Sequence, residues 1–556
     1  MTAVIKDGEI LILTSSGVER LRISAALTKA IGGKCKTSAD GIRIPIACVD
    51  ILLNLYPSVL SEELEKVHAE ILWHKNAVNE ANEILSSASI VRITPYWGDV
   101  LDIPQQCAVA ALTSPGLMGA CLFDEQGTGK TVMSIAAFDI LKDTDVVDNL
   151  IVIAPMSMLG GWKKDFETFL KDKYSLEIIT GTAIERRAAV NKRPDVLVVN
   201  YEGVESVLVL LQATARSSRT MIVVDESYYA KNSAAIRSLN LLKLRPLCKK
   251  GLVLCGTPAP ATPYDLINQV DLADNGFAFA TFGKSKNLDD DKSTIKNILA
   301  NRAVAIRRLK TEVLSDVPEK NFELVRIKLE GQQRAMYDKA KNDLLVELKS
   351  LDNKTFKKNL TSYFQKRLAL LEICAVPKML DPLYASESAK IIRLIALVDK
   401  LVAENRKVLI WTLYKLSIDE IKSALNKYNP LVIDGSVSGE ERTQCVRKFQ
   451  EDSTYMVMIA NPAAAGAGIT LHAAYDAIYF SYTNQAAHYL QSLDRIHRRG
   501  QKAKCVNYFM FICENTIEEH EVKRLRQKEL NQHELLGDSI SWPESLDQAL
   551  EELVDD

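Results

Sequence analysis

The stretch Asp124-Glu125-Gln126-Gly127-Thr128-Gly129-Lys130-Thr131, followed by the helical pattern VMSIAAFDIL, limits what this chain can fold into more than any other segment. Two glycines let the backbone run close to a polyanion, and successive N–H groups with the start of the following helix face it. Gly127, Thr128 and Gly129 form the cradle of such a loop, Lys130 reaches terminal phosphates, and the Thr131 hydroxyl is placed for Mg2+. The full GxxxxGK[ST] pattern has Gly where this chain has Asp124, so the segment alone also fits a glycine-rich turn before a core helix.

A second segment supports the phosphate reading. Met221-Ile222-Val223-Val224-Asp225-Glu226 is a short β-branched run ending in two acids. Such a run reads as a buried parallel strand, and open α/β sheets bind ligands at the carboxyl ends of their strands. Asp225 is the candidate metal ligand and Glu226 the candidate base that orients and deprotonates water. The plainer alternative is a solvated acid pair at a strand end.

The wider pattern fits two α/β lobes. Between about 90 and 325, LIVIAP (150–155), DVLVVN (195–200), MIVVDE (221–226) and LVLCGT (252–257) alternate with helical segments, which predicts a parallel sheet covered on both faces. Residues 326–400 read as mostly helical and charged. A second block of strands follows from 407 to 515 (KVLIWT, NPLVID, YMVMIAN, YDAIYF, CVNYFMF). A single doubly wound domain rarely exceeds about 250 residues, so two lobes side by side are expected. Residues 1–88 stand apart as a small α+β unit whose middle is made basic by Lys34, Lys36 and Arg43. The expected domains are therefore 1–88, a first lobe 89–325, a second lobe with a helical insertion 326–536, and an acidic tail 537–556.

Composition narrows the partners. The net charge of −2 requires any nucleic-acid contact to come from a local patch. Ten cysteines without a CxxC pair, and seven histidines that form no ligand cluster with them, point to reduced thiols and no zinc site. No apolar run reaches membrane-spanning length and the first residues do not begin a signal peptide, so a cytoplasmic location and no membrane partner are expected.

In the second block, Gln491-Ser492-Leu493-Asp494-Arg495-Ile496-His497-Arg498-Arg499-Gly500-Gln501 places two arginines three apart, on one face if the segment is helical. An arginine supplied at a lobe interface neutralises charge developing on a γ-phosphate, which makes Arg495 and Arg498 candidate catalytic groups. With this segment the series DEQGTGKT, IPQQ, IVIAPMSMLGGWKKDF, DESYYAKN, LCGTPAPATPYDL, AIRRLKTEVLSDVPEK, VIDGSVSGEER, AGAGITL and QSLDRIHRRGQ resembles, in order and spacing, the motifs of the Swi/Snf-like branch of helicase superfamily two. The resemblance covers about 90 to 525.

That resemblance implies two tandem RecA-like lobes and a DNA-dependent ATPase using ATP and Mg2+. It implies Gln106 as the adenine reader, Gly468 as a further nucleotide contact, and a sequence-independent grip on DNA by Ser157, Trp162, Lys163, Asn200, Tyr201, Thr412, Lys415, Gly435, Ser436 and Thr470. Three departures stand out. Tyr228 replaces the usual histidine of the acidic motif, residues 259–262 lack the family's asparagine, and Thr470 stands where Asn is frequent. The first unit loosely resembles the HARP-type module of annealing helicases and the small amino-terminal domains of phage branch-migration helicases. The expected function is remodelling of branched DNA by fork reversal, branch migration or strand annealing, in a bacterial or phage-infected cell. Duplex, branched and single-stranded DNA and replication or recombination proteins are the expected partners. The alternatives are a motor subunit of a restriction or defence complex, a remodeller acting on RNA polymerase, and a non-catalytic DNA-binding scaffold.

Overall fold

The computed structural model describes residues 1–525 apart from 7–8, 32–33, 260–261, 286, 314–317, 466–468, 483–485 and 499, and apart from the side chains of 311, 353–354, 357 and 486–487. The expected acidic tail 537–556 lies outside these residues. The chain divides into two compact units, Met1–Val313 and Leu314 onward.

The first unit begins with a four-stranded antiparallel sheet of order β1-β2-β4-β3, formed by β1 (Thr2–Lys6), β2 (Glu9–Leu13), β3 (Lys36–Ser38) and β4 (Gly41–Pro45). The helix Gly17–Ile31 buries Ile23, Leu27 and Ile31, four apart, over the side chains of Ile10, Ile12, Ile42 and Ile44. The helix Glu62–Ser86 starts at Ser61, whose Oγ accepts the Leu64 N–H, and carries three glutamates in its first turn, where the helix dipole favours them. This small core is completed by Phe277 and Ala280 from later in the chain. Lys34 Nζ donates to the Phe279 carbonyl (2.5 Å) and the His74 ring meets Phe277 edge-on at 4.7 Å. Residues 1–88 are thus packed into the first unit.

The body of that unit is a seven-stranded parallel sheet of order β11-β5-β10-β9-β6-β8-β7. Its strands are β5 (Gly119–Leu122), β6 (Asn149–Ala154), β7 (Leu176–Ile179), β8 (Val196–Asn200), β9 (Thr220–Val224), β10 (Lys250–Leu254) and β11 (Ala305–Ile306). Ile222 of β9 lies between Ile151 of β6 and Gly251 of β10. The central strands are buried along their whole length, as strands covered on both faces must be. All strands being parallel, the turns after β5, β6, β8, β9 and β10 open on one edge of the sheet.

The second unit holds a six-stranded parallel sheet of order β12-β17-β16-β13-β15-β14, built from β12 (Glu319–Ile327), β13 (Val408–Trp411), β14 (Leu431–Ile433), β15 (Val457–Ala460), β16 (Asp476–Tyr479) and β17 (Cys505–Cys513). The helices Gly331–Lys349, Leu360–Ala375 and Ala389–Ala403 fill the expected helical stretch. The expected boundary at 325 is corrected. It falls inside β12, which pairs with β17 from Glu319↔Cys505 to Ile327↔Cys513, so these residues belong to the second sheet. Among the described residues no helix is long and apolar enough to cross a membrane.

Candidate nucleotide-binding site

The phosphate loop leaves the carboxyl end of β5 and enters the helix Lys130–Asp143. Gly127 and Gly129 have φ of +86° and +89°, a conformation that side chains with a Cβ rarely adopt. Lys130 Nζ folds back over the loop, donating to the Asp124 and Glu125 carbonyls at 2.8 and 3.1 Å. Thr128 Oγ1 closes the turn on the Glu125 carbonyl (2.9 Å). Asp124, the departure from the full glycine pattern, is fully buried and paired with Arg308, whose Nε donates to Oδ1 at 3.1 Å. Backbone bonds from Glu125 N to Arg308 O (3.0 Å) and from Lys310 N to the Glu125 carboxylate (2.7 Å) tie the loop to the segment after β11. Asp124 therefore anchors the loop from behind.

The acid pair follows β9. Asp225 Oδ1 accepts the Glu226 N–H (2.8 Å) and Oδ2 accepts the indole N–H of Trp162 (2.9 Å). Burial pushes the Asp225 carboxyl up from its ordinary value, opposed by the Trp162 bond and by the charge of Lys130. Glu226 sits at φ +49°, a left-handed conformation uncommon for a glutamate, and accepts the Gln126 side-chain amide at 2.7 Å. Gly256, after β10, makes room for Gln126, since a Cβ there would lie 2.5 Å from Gln126 Cγ. A buried, oriented carboxylate with lone pairs to spare fits a Mg2+ ion at Asp225, with the Thr131 hydroxyl in the first turn of the helix as the second candidate ligand.

Four of the expected DNA contacts are buried. Trp162 is 1% exposed and Tyr201 is 3% exposed. Trp162 binds Asp225 through its indole, and the Tyr201 hydroxyl donates to the Asp225 carbonyl at 2.6 Å. Both rings are too large and apolar to remain at a wetted rim, and they brace the acid pair instead. Thr412 is also fully buried, its hydroxyl 3.0 Å from that of Ser481, and Asn200 is buried with its amide on Glu202 (2.9 Å). Ser157, Lys163, Lys415, Gly435 and Ser436 are exposed. Ser436 Oγ donates to Asp434 at 2.6 Å.

Of the two glutamines, Gln106 donates to the Gly98 and Leu101 carbonyls (2.9 and 2.7 Å). Gln105 is the one against the loop, donating to the Thr128 carbonyl at 2.8 Å. A Cβ on Gly129 would lie 2.3 Å from its amide nitrogen. Gln105, Asp124, Gln126 and Arg308 thus join the site beside the residues expected there. Tyr228, in place of the usual histidine, stacks on Tyr229 at 4.4 Å. The connection from the acid strand to the turn after β10 runs through Ser227, whose hydroxyl donates to Gln269 (2.5 Å), and from the Gln269 amide to the Pro258 carbonyl.

In the second unit the helix Ala486–Leu493 ends before the arginines, so they do not share a helix face as expected. Residues 494–498 form turns that bring both guanidinium groups to one place. Arg495 donates to the Ile469 carbonyl (2.9 Å) and Arg498 to the same carbonyl (3.2 Å) and to Thr470 Oγ1 (2.7 Å). Gly468 lies outside the described residues. The three candidate metal ligands Cys374, Cys513 and Glu518 also meet in this unit, but Glu518 already accepts from Lys390 (2.6 Å) and from the Cys513 N–H (2.9 Å).

Comparison with known proteins agrees with this geometry. Residues 105–379 match the SNF2-related domain and residues 389–500 the helicase conserved C-terminal domain. The chain is 28% identical over 442 residues to the uncharacterized ATP-dependent helicase MG018 of Mycoplasma genitalium, covering 77% of this chain and 41% of that protein. It is 26% identical over 491 residues to the SWI/SNF-related matrix-associated actin-dependent regulator of chromatin subfamily A-like protein 1 homolog of Caenorhabditis elegans, covering 84% and 65%. It is 27% identical over 429 residues to the DNA annealing helicase and endonuclease ZRANB3 of Homo sapiens, covering 72% and 37%. The chain spans less than two thirds of the length of each of these relatives.

Proposed function

The chain belongs to the Snf2-like branch of superfamily-two helicases, with two RecA-like lobes, and from that premise we propose that it is a DNA-stimulated ATPase that translocates on duplex DNA and remodels branched DNA. The observation that carries this reading is the convergence of Lys130, Asp225 and Glu226 at the carboxyl edge of one parallel sheet, each held by its own buried partners. The loop N–H groups and Lys130 would receive the phosphates of ATP, and Asp225 and Thr131 would hold Mg2+, which would supply positive charge to those phosphates. Glu226, oriented by Gln126, takes the proton of the attacking water. Arg495 and Arg498 are the cationic groups of the second lobe that this reading assigns to catalysis.

Ser157, Lys163, Lys415, Gly435 and Ser436 are exposed hydroxyl, ammonium and backbone groups suited to phosphates of any sequence. Fork reversal, branch migration or annealing is the finer part of the proposal, supported by the likeness to a DNA annealing helicase and by the basic middle of the amino-terminal module (Lys34, Lys36 and Arg43), and a cytoplasmic location goes with it. The test is steady-state ATPase without nucleic acid and with single strands, linear duplex, forks and four-way junctions. Stimulation is expected, greatest with forks or junctions, and Lys130→Ala should lower the rate by on the order of 100-fold. Equal stimulation by linear duplex and forks would remove the branched-DNA part, and no stimulation by any DNA would remove the motor reading.

A further inference from the structure

At the opposite edge of the seven-stranded sheet, where the strands begin, the first unit has a pocket of about 350 Å3. That volume is within the roughly 300–1,000 Å3 of small-ligand sites. Its walls include Trp73 from the helix Glu62–Ser86, Gly116 before β5, Arg219 before β9, and Lys249 and Lys250 at the start of β10.

Two features of this pocket point to a ligand. The first is Trp73. Gly116, at φ +81°, brings its backbone flat against the indole: a Cβ there would lie 2.6–2.7 Å from Cδ1, Nε1 and Cδ2 alike, above the five-membered ring. One face of the indole is therefore fixed, yet Trp73 remains 52% exposed, while Trp97, Trp162 and Trp411 are buried. The second is Lys250. It is 4% exposed, its Nζ donates to the Ser114 carbonyl at 3.1 Å, and among the described residues it pairs with no carboxylate. Its neighbours are already matched: Arg219 is held by Asp145 and Asp148, Lys249 faces Glu70 at 3.9 Å, and the Arg245 guanidinium donates to the carbonyls of Met118, Cys248, Leu272 and Ala273.

We propose that this pocket binds one nucleotide unit, its base stacked on the open face of Trp73 and its phosphate on Lys250. An aromatic platform beside lysines is the arrangement that takes unpaired bases regardless of sequence. The inference rests on the reading of residues 1–88 as a DNA-recognition module, because Trp73 comes from that module and Lys250 from the motor body. Burial, then the charges of Lys249 and Arg92, push the Lys250 ammonium down to about 7, and a phosphate in the pocket offsets that cost. A free mononucleotide and an unpaired nucleotide of a DNA strand share this chemistry.

The test is binding of labelled oligothymidylate to the full chain by anisotropy, with excess unlabelled linear duplex to occupy the motor and with dTMP as competitor. Trp73→Ala and Lys250→Met should each weaken binding roughly tenfold, and Trp73→Phe should retain it. Competition by dTMP as effective as by unlabelled oligothymidylate would assign the pocket to a free nucleotide, and binding of the oligonucleotide alone would assign it to unpaired DNA. Unchanged affinity in both Trp73→Ala and Lys250→Met, or equal loss in Trp73→Phe and Trp73→Ala, would overturn the proposal. Failure of the motor reading shows separately, as absent duplex-stimulated ATPase in the unaltered chain.

Discussion

Trp162 lies in a segment whose exposed Ser157 and Lys163 are the proposed DNA contacts, yet its indole is turned inward onto Asp225. The two roles are separable. A hydrogen bond to a carboxylate is worth about 1.5–3 kcal/mol, and this one opposes the rise that burial gives the Asp225 carboxyl. Trp162→Phe keeps the ring and removes the donor. Its ATPase rate without DNA should fall roughly tenfold, while affinity for duplex without nucleotide stays unchanged. Loss of the bond moves the Asp225 pKa further up, so the acid limb of the pH–rate profile should shift to higher pH. A rate that holds while duplex affinity drops would return Trp162 to the DNA-binding set.

Among the elements, β5 is the strand that precedes the phosphate loop, and it has the least strand-like composition of its sheet. Gly119-Ala120-Cys121-Leu122 has no β-branched residue because the helix Asp265–Asp274 crosses directly above it. A Cβ on Gly119 would lie 1.9 Å from the Ala273 carbonyl oxygen and 2.3 Å from that of Gly251, both backbone atoms that cannot swing away. Gly119→Ala should therefore cost about 3 kcal/mol in chemical denaturation, although alanine is the better residue by chain entropy alone. The same position shows what could be read beforehand. Strands such as β6 and β9 were legible because burial on both faces demands unbroken Val, Ile and Leu. The phosphate loop and acid pair were legible because their chemistry dictates residue types at fixed spacing. β5, and β12 with its alternating charges, were not, since each depends on a partner far away in sequence. The same holds for Gln105 and Arg308: nothing local to IPQQ or to AIRRLKTEV shows that their side chains close on the phosphate loop.

For the molecule as a whole, the beginning edge of the seven-stranded sheet makes stability depend on pH in an unusual way. Asp274 is buried and lies near Asp271, which together push its carboxyl up to about 7 from 3.8. Lys250 is pushed down to about 7 from 10.5. A raised acid contributes stability that is complete below 3.8 and is lost as pH rises through about 7. A depressed lysine contributes stability that is complete above 10.5 and is lost as pH falls through about 7. The two contributions are therefore jointly smallest near neutrality, in contrast to the usual maximum between about pH 5 and 8. Lys250→Met separates them without disturbing the acid. Between pH 10.5 and about 7 the unfolded lysine holds a proton that the folded one lacks, so the unaltered first unit should lose stability on acidification by up to about 1.4 kcal/mol per pH unit relative to the variant. Urea denaturation followed by near-ultraviolet circular dichroism, at a series of pH values above and below neutrality, measures that difference directly. A gap between variant and unaltered chain that opens as pH falls toward 7, and stays constant below it, is the expected result. A gap independent of pH would mean that Lys250 keeps its proton in the folded state, held by compensation that its single carbonyl partner does not provide.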